Sequence, residues 1–261
     1  MSEPPVLYES AEQVGVLTLN RPDARNSMTP ELLDGFAETI QRATADTEIR
    51  ALILTGHGNC FSAGANLKVS LQREGAKQTP EERSFAMYEP FLQVLDVQVP
   101  VIAALNGHAV GGGFGLSLLA DIRIANRDSK YGANFARLGI HSGLGISYTL
   151  PRIIGAARAA ELLFTGRLVR GSEALEIGLA SYAVVAADVM ARAQSIAREI
   201  VSAAPLAVQG MKASLRGDLR DRIREAARQE ARLQSASLET QDAQEGLNAM
   251  LEKREPEFLG K

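Results

Sequence analysis

The amino-acid sequence predicts an α/β core followed by a helical C-terminal region. Through about residue 185, short apolar runs alternate with amphipathic stretches, the signature of strands interleaved with helices. From Val185 onward the patterns are helical, with almost no strand signal. At 261 residues, 46% hydrophobic and 23% charged, the chain can bury a sizeable core. We divide it into an α/β core over residues 1–200 and a helical region over residues 201–261.

Each element has a local reason. Val14-Gly-Val-Leu-Thr-Leu19 reads as a strand, ended by the turn residues Asn20-Arg-Pro-Asp. Thr29-Pro30 opens a helix, with Thr as N-cap and Pro at the first helical position. Leu32, Leu33, Phe36, Ala37 and Ile40 give that helix one apolar stripe. Ala51–Thr55 is a buried strand stopped by Gly56. Ser70–Glu82 is polar and aperiodic, a loop of the kind that borders sites. Residues 81–97 form a helix with Phe85, Tyr88, Leu92 and Leu95 on one face. Val101–Leu105 is a strand after Pro100, Gly111–Ala120 a helix entered through glycines, and Ile122–Ala125 a further strand. Ala187–Ala203, 206–216 and 218–252 are the C-terminal helices.

Composition narrows the function. The net charge of -3 and the absence of Trp give no basic or stacking surface for nucleic acid. The one cysteine, Cys60, forms no internal disulfide, and His57, His108 and His141 have no metal-ligand spacing, so no metal is expected. The start, MSEPPVLYES, lacks a basic segment before an apolar core, and no uncharged apolar run approaches the roughly 18 residues of a membrane span. The expectation is a cytoplasmic protein without a membrane span.

Two small-residue segments carry the chemical signal. Gly58–Lys68 and Asn106–Leu116 each follow a buried strand directly. Small residues let a ligand approach the main chain, and a strand turning into a helix leaves unpaired N–H groups at the helix start. Two such turns side by side would aim two donors at one oxygen, as an oxyanion hole does. Taken alone, Gly111-Gly-Gly113 is equally explained by close helix–strand packing. It does not fit the dinucleotide pattern, because residue 116 is Leu, and it lacks the Lys-Ser/Thr pair of a phosphate loop.

Together the segments resemble the crotonase (enoyl-CoA hydratase/isomerase) superfamily. The resemblance is carried by Asn20-Arg-Pro, Arg25-Asn-Ser, Phe61-Ser-Ala-Gly-Ala-Asn-Leu67, Pro100–His108, Gly111-Gly-Gly113, Ala120-Asp-Ile-Arg123, Glu161–Arg167 and Ser172–Ala180. It covers roughly residues 10–250. It implies a spiral of ββα units, a C-terminal helical oligomerisation region, and a homotrimer or a hexamer built as a dimer of trimers. It also implies a coenzyme A thioester as substrate or ligand, with no tightly bound cofactor, and an activity of the lyase or isomerase type. The oxyanion donors would be the N–H groups of Ala65 and Gly112. Coenzyme A would lie along Ala63, Ala65, Asn66, Leu67 and Lys68 and beside Gly112, with Arg25 and Lys68 either meeting its oxygens or remaining solvated surface charges. Asn66 stands where the family most often has Asp.

The sequence departs from the family at the chemistry. Hydratases of the superfamily place two carboxylates around the thioester. Here those positions are Gly115 and Phe135, and no Asp or Glu occurs between Asp128 and Glu161. Ordinary two-glutamate hydration, or isomerisation by the second glutamate, therefore lacks its acid/base groups. His141, six residues past Phe135, is either a substitute base or a structural histidine. His108 and Asp121 are structural, His57 is exposed, and Tyr88 and Glu89 belong to helix packing unless their helix covers the acyl end. Cys60 is an inert thiol. Three functions stay open: an enzyme of altered chemistry on an acyl-CoA, a non-catalytic acyl-CoA carrier or regulator, and a scaffold with a vestigial site.

Overall fold

The computed structural model describes residues 3–65 and 78–261. Its strands, in chain order, are β1 (Val6–Ala11), β2 (Val14–Leu19), β3 (Ala51–Gly56), β4 (Cys60–Ser62), β5 (Val101–Leu105), β6 (His108–Val110), β7 (Ile122–Asn126), β8 (Lys130–Gly132), β9 (Val169–Arg170) and β10 (Tyr182–Val184). They build two sheets. The larger has the order β1-β2-β3-β5-β7-β10, and only the β1–β2 hairpin in it is antiparallel. The smaller has the order β4-β6-β8-β9. Thus β3 and β4, β5 and β6, and β7 and β8 each place one strand in each sheet, and this repeated step is the spiral.

Helix α1 (Pro30–Ala45) starts where Thr29 accepts the Leu32 N–H and Pro30 sets the first turn. Its stripe of Leu32, Leu33, Phe36 and Ile40 packs with Leu17, Leu52, Leu54 and Val101 on one face of the larger sheet. Helix α2 (Pro80–Leu92) joins that layer through Phe91, whose ring meets Phe36 edge-on at 4.7 Å. Ala51, Ile53, Ile102 and Ile124 point to the opposite face, covered by Val189, Ala193, Ile196 and Ala197 of a later helix. Two covered faces explain why β3 is buried at every residue and reads as an unbroken apolar run. Helix α3 (Gly112–Leu118) then enters the interior, buried throughout. After it come α4 (Ile146–Ile154), α5 (Ala156–Thr165), α6 (Gly171–Glu176) and α7 (Val189–Ser202), the last being the cover of the far face. Beyond these lie α8 (Pro205–Arg216), α9 (Leu219–Leu238) and α10 (Gln241–Glu252). Among the described residues, no helix is long and apolar enough to cross a membrane.

Three sequence expectations are corrected. The single helix over 218–252 is two, because Thr240 leaves the helix and caps α10 by accepting the Ala243 N–H. The helix over 81–97 ends at Leu92 and continues as a 3-10 turn to Asp96. The loop over Ser70–Glu82 stops at Thr79, where a reciprocal Thr79–Glu82 capping box starts α2; residues 70–77 of it lie outside the described residues.

The C-terminal helices are tied to the core by charge as well as packing. On α8 the one buried residue is Lys212, whose Nζ lies 3.0 Å from Asp121 and donates to the Val99 carbonyl. Arg216 meets Asp121 at 2.9 Å, and Asp121 accepts the Val101 N–H at 2.7 Å. Burial raises the Asp121 pKa, but Lys212, Arg216 and that N–H outweigh it and hold the carboxyl below its ordinary value. A carboxyl whose pKa is lower folded than unfolded stabilises the fold above the unfolded pKa, and this is lost as pH falls through the folded one. Asp121→Asn should therefore cost about 2–3 kcal/mol near neutral pH. In thermal melts from pH 7 to pH 2, the gap between wild type and variant should close below about pH 4.

Candidate active site

The first donor segment is held by the turn before α1. Asn26 is fully buried; its Oδ1 accepts the Arg21 N–H at 2.8 Å and its Nδ2 donates to the Cys60 carbonyl at 2.8 Å and the His57 carbonyl at 3.1 Å. The Ser62 hydroxyl donates to the Asn26 carbonyl at 2.8 Å, the Ala63 N–H to the Arg25 carbonyl at 3.0 Å, and the Met28 N–H to the Gly64 carbonyl at 2.9 Å. The turn at Arg25 and Asn26 thus lies against residues 60–64, and Met28 makes an isolated parallel bridge with Ala65. Arg25, in the left-handed region at φ 53°, keeps its side chain exposed next to Ala63.

The second donor segment follows β6. Gly111 takes φ 57°, donates to the Gly132 carbonyl at 3.0 Å, and gives its own carbonyl to the Gly115 N–H at 3.0 Å, closing the first turn of α3. The two segments touch through glycine. A methyl group on Gly64, which sits at φ 78°, would lie 2.6 Å from the Val110 oxygen and 3.0 Å from the Gly112 nitrogen. One on Gly113 would lie 2.4 Å from the Ser62 oxygen.

The peptide planes give the direction of the donors. The amide groups are trans, so an N–H points opposite to the carbonyl across the same bond. The Gly64 carbonyl faces Met28, which turns the Ala65 N–H away from Met28. The Gly111 carbonyl faces along α3, which turns the Gly112 N–H out of the helix start. Among the described residues, neither N–H has a hydrogen-bond acceptor outside the regular elements. The sequence-predicted pair Ala65 and Gly112 is therefore brought together. Ala63 lies beside it, and Asn66, Leu67 and Lys68 lie outside the described residues.

Around the pair the surroundings are apolar. A methyl on Gly112 would strike the Met28 sulfur at 2.3 Å and meet the Tyr88 ring at 3.3 Å. One on Gly115 would meet Leu144 at 2.7 Å and Ile146 at 3.1 Å. Phe135 is buried in a 3-10 turn, its ring tip 3.7 Å from where a Gly111 methyl would be. Gly115 is thus bare backbone under Leu144 and Ile146, and position 135 is a phenyl ring.

His141 is half-buried in the loop that follows. Its Nδ1 lies 2.9 Å from the Ser142 carbonyl, a pairing that puts a proton on Nδ1 and leaves Nε2 with the lone pair in the neutral ring. The remaining candidates are structural. His108 Nδ1 accepts the Lys130 N–H at 2.9 Å, and exposed His57 lies 2.9 Å from the Asn20 side chain. Burial pushes the Cys60 thiol up to about 11, against a smaller downward pull from Arg25. Glu89 is exposed.

Sequence reasoning missed the contribution of α9. Glu230, 2% exposed, accepts the N–H groups of Gly145 at 2.6 Å and Ser147 at 2.7 Å, fixing the loop whose Leu144 and Ile146 abut Gly115. Gln234, also 2% exposed, accepts from Ser84 Oγ at 2.7 Å, donates to the His141 carbonyl at 2.8 Å, and meets Tyr88 Oη. The signal was present: Ile223, Ala227, Ala231 and Gln234 keep helical spacing with Glu230, so two polar residues occupy a buried stripe.

The spiral of paired strands and the likeness to known proteins together define the class. A family model described as enoyl-CoA hydratase/isomerase matches residues 9–261, and the chain belongs to that family. It is 36% identical over 263 residues to an (E)-benzylidenesuccinyl-CoA hydratase of Thauera aromatica, covering 98% of this chain and 99% of that one. It is 34% identical over 257 residues to a crotonyl-CoA hydratase of Syntrophomonas wolfei, with 98% of each chain covered. The crystal structure of an enoyl-CoA hydratase/isomerase from Pseudoalteromonas atlantica superimposes with a TM-score of 0.86 at 27% identity, covering 98% of this chain and all of that one.

Gly64→Ala tests the contact between the turns. It forces a side chain into a left-handed backbone against the Val110 oxygen and should cost about 1–3 kcal/mol. Urea unfolding would measure this, and hydrogen exchange should show faster exchange at residues 62–65 and 110–113.

Proposed function

We propose that this chain binds an acyl-CoA thioester and polarises its carbonyl through the N–H groups of Ala65 and Gly112. The carrying observation is the orientation of those two peptides, each turned away from its own carbonyl's partner while Gly64 touches Gly112. Two preorganised donors stabilise the negative charge that develops when the thioester becomes an enolate. Exposed Arg25, whose carbonyl accepts the Ala63 N–H, is the side chain suited to a phosphate or ribose oxygen of coenzyme A, and the family resemblance supports a path for the cofactor half along Ala63–Lys68.

The chemistry after polarisation differs from two-carboxylate hydration. Gly115 and Phe135 cannot exchange protons, and Leu144 and Ile146 fill the space at Gly115. We assign the base to His141 Nε2, whose lone pair is left open by the Nδ1 pairing with Ser142. The activity is of the lyase or isomerase type on this reading. The second reading, a non-catalytic acyl-CoA carrier or regulator, draws on the same apolar lining, which suits a static acyl chain as well as a reacting one.

We further propose that the chain is a homotrimer, or a hexamer of paired trimers, in the cytoplasm. Helix α8 supports self-association: Leu206, Met211 and Leu215 are 81%, 59% and 86% exposed. Covering such a face is a common reason for closed symmetric assembly.

Calorimetry with acyl-CoAs tests the shared premise. Binding to a thioester but more weakly to free coenzyme A supports it, and no binding to any acyl-CoA overturns it. Hydration of crotonyl-CoA should run about 10²–10⁴ slower than in a family member with both carboxylates, and equal rates would refute the altered chemistry. With an accepted substrate, His141→Ala should lower turnover by about 10²–10⁴ while leaving acyl-CoA affinity within about threefold. Unchanged turnover would remove His141. Absence of turnover in wild type with binding retained would favour the carrier reading. Light scattering should give three or six times the chain mass.

A further inference from the structure

We propose that Tyr88, pinned by Gln234 from α9, is the wall that ends the acyl site and restricts it to thioesters of short acyl groups. This rests on the acyl-CoA reading above and says which acyl groups that site admits.

The ring of Tyr88 stands between two bare glycines. One edge faces Gly112, where an added methyl would lie 3.3 Å from Cε1. The other faces Gly143, where an added methyl would lie 2.3 Å from Cε2 and 2.8 Å from Oη. Gly112 carries the proposed second donor, so a carbonyl held there has the Tyr88 ring within one side chain's breadth. On the same glycine the Met28 sulfur closes the neighbouring direction. Methionine is deformable, so Met28 can yield to a ligand. Tyr88 cannot yield so easily, for reasons that lie in its hydrogen bonds.

The phenol oxygen sits 3.1 Å from Gln234 Nε2 and 3.2 Å from Oε1. The Gln234 amide is itself fixed, since Ser84 Oγ donates to Oε1 at 2.7 Å and Nε2 donates to the His141 carbonyl at 2.8 Å. Swinging the ring away would leave Gln234 and the phenol short of partners in a region where Ser84, Tyr88 and Gln234 are all at most 4% exposed. The phenol stays neutral, because burial, with a smaller push from Glu230, raises its pKa against the opposing Gln234 bond. Tyr88 therefore acts as a rigid, uncharged wall, and it is a specificity-determining residue.

The experiment uses the full chain and measures affinity for butyryl-CoA and octanoyl-CoA by calorimetry, in wild type, Tyr88→Leu and Gln234→Leu. Wild type should favour butyryl-CoA by about tenfold or more, the discrimination a well-packed apolar pocket supplies. Tyr88→Leu should shift the affinity ratio toward octanoyl-CoA by about tenfold. Gln234→Leu keeps the ring but releases its phenol, and should shift the ratio in the same direction by a smaller factor. A wild type that binds octanoyl-CoA as well as butyryl-CoA overturns the proposal, as does a folded Tyr88→Leu with an unmoved ratio. Should Tyr88→Leu fail to fold, an unmoved ratio in Gln234→Leu overturns it alone. If wild type binds neither thioester, the acyl-CoA reading itself falls; binding with an unchanged ratio removes the wall and leaves that reading standing.

Discussion

The contact between Gly64 and the Val110–Gly112 turn is the constraint on which the rest of the site depends. Two strand ends from the same sheet approach until there is no room for a Cβ on either side. That closeness makes the two turns neighbours. The left-handed backbone at Gly64 and the tight turn at Gly111 are the local cost. It is offset by a dense set of hydrogen bonds from Asn26, Ser62 and Met28, which hold the first segment from behind.

The chain thus combines a rigid contact between two turns with apolar packing at Gly115 and Phe135. Glu230 shows the difference between having a carboxylate nearby and having one in use. Its oxygens are taken up by the Gly145 and Ser147 N–H groups and by Ser142, so it organises a loop. Gly115, by contrast, lies within contact of Leu144 and Ile146 from that same loop. Membership of a family does not by itself fix the reaction.

Much of this was legible in the sequence, for identifiable reasons. Strands β2, β3, β5 and β7 read clearly because they are covered on both faces or bounded by turn residues, and α1 because Thr29-Pro30 announces it. The edge strand β1 was missed because Tyr8–Ala11 is half-buried to exposed and shows no clean alternation. Strands β4, β6 and β8 were missed because three residues carry no periodicity. The closeness of the Gly64 and Gly111–Gly113 turns was legible because both small-residue segments follow buried strands, whereas the choice of Ala65 and Gly112 as donors came from the family resemblance. The spacing of Glu230 and Gln234 with Ile223, Ala227 and Ala231 marked a shared stripe, but their partners were not legible, because Gly145, Ser147, Ser84 and Tyr88 lie far away in the sequence.

Helix α9 has a consequence for how the molecule comes apart. Through Glu230 it caps the start of α4, and through Gln234 it fastens Tyr88 and the His141 carbonyl, so one helix is stapled to two separate elements. Undocking it would strip the amides of Gly145 and Ser147 of their acceptor and release α2 in the same event. Helix α9, α2 and the start of α4 therefore share buried hydrogen bonds, so loosening one strips polar groups of the others of their partners.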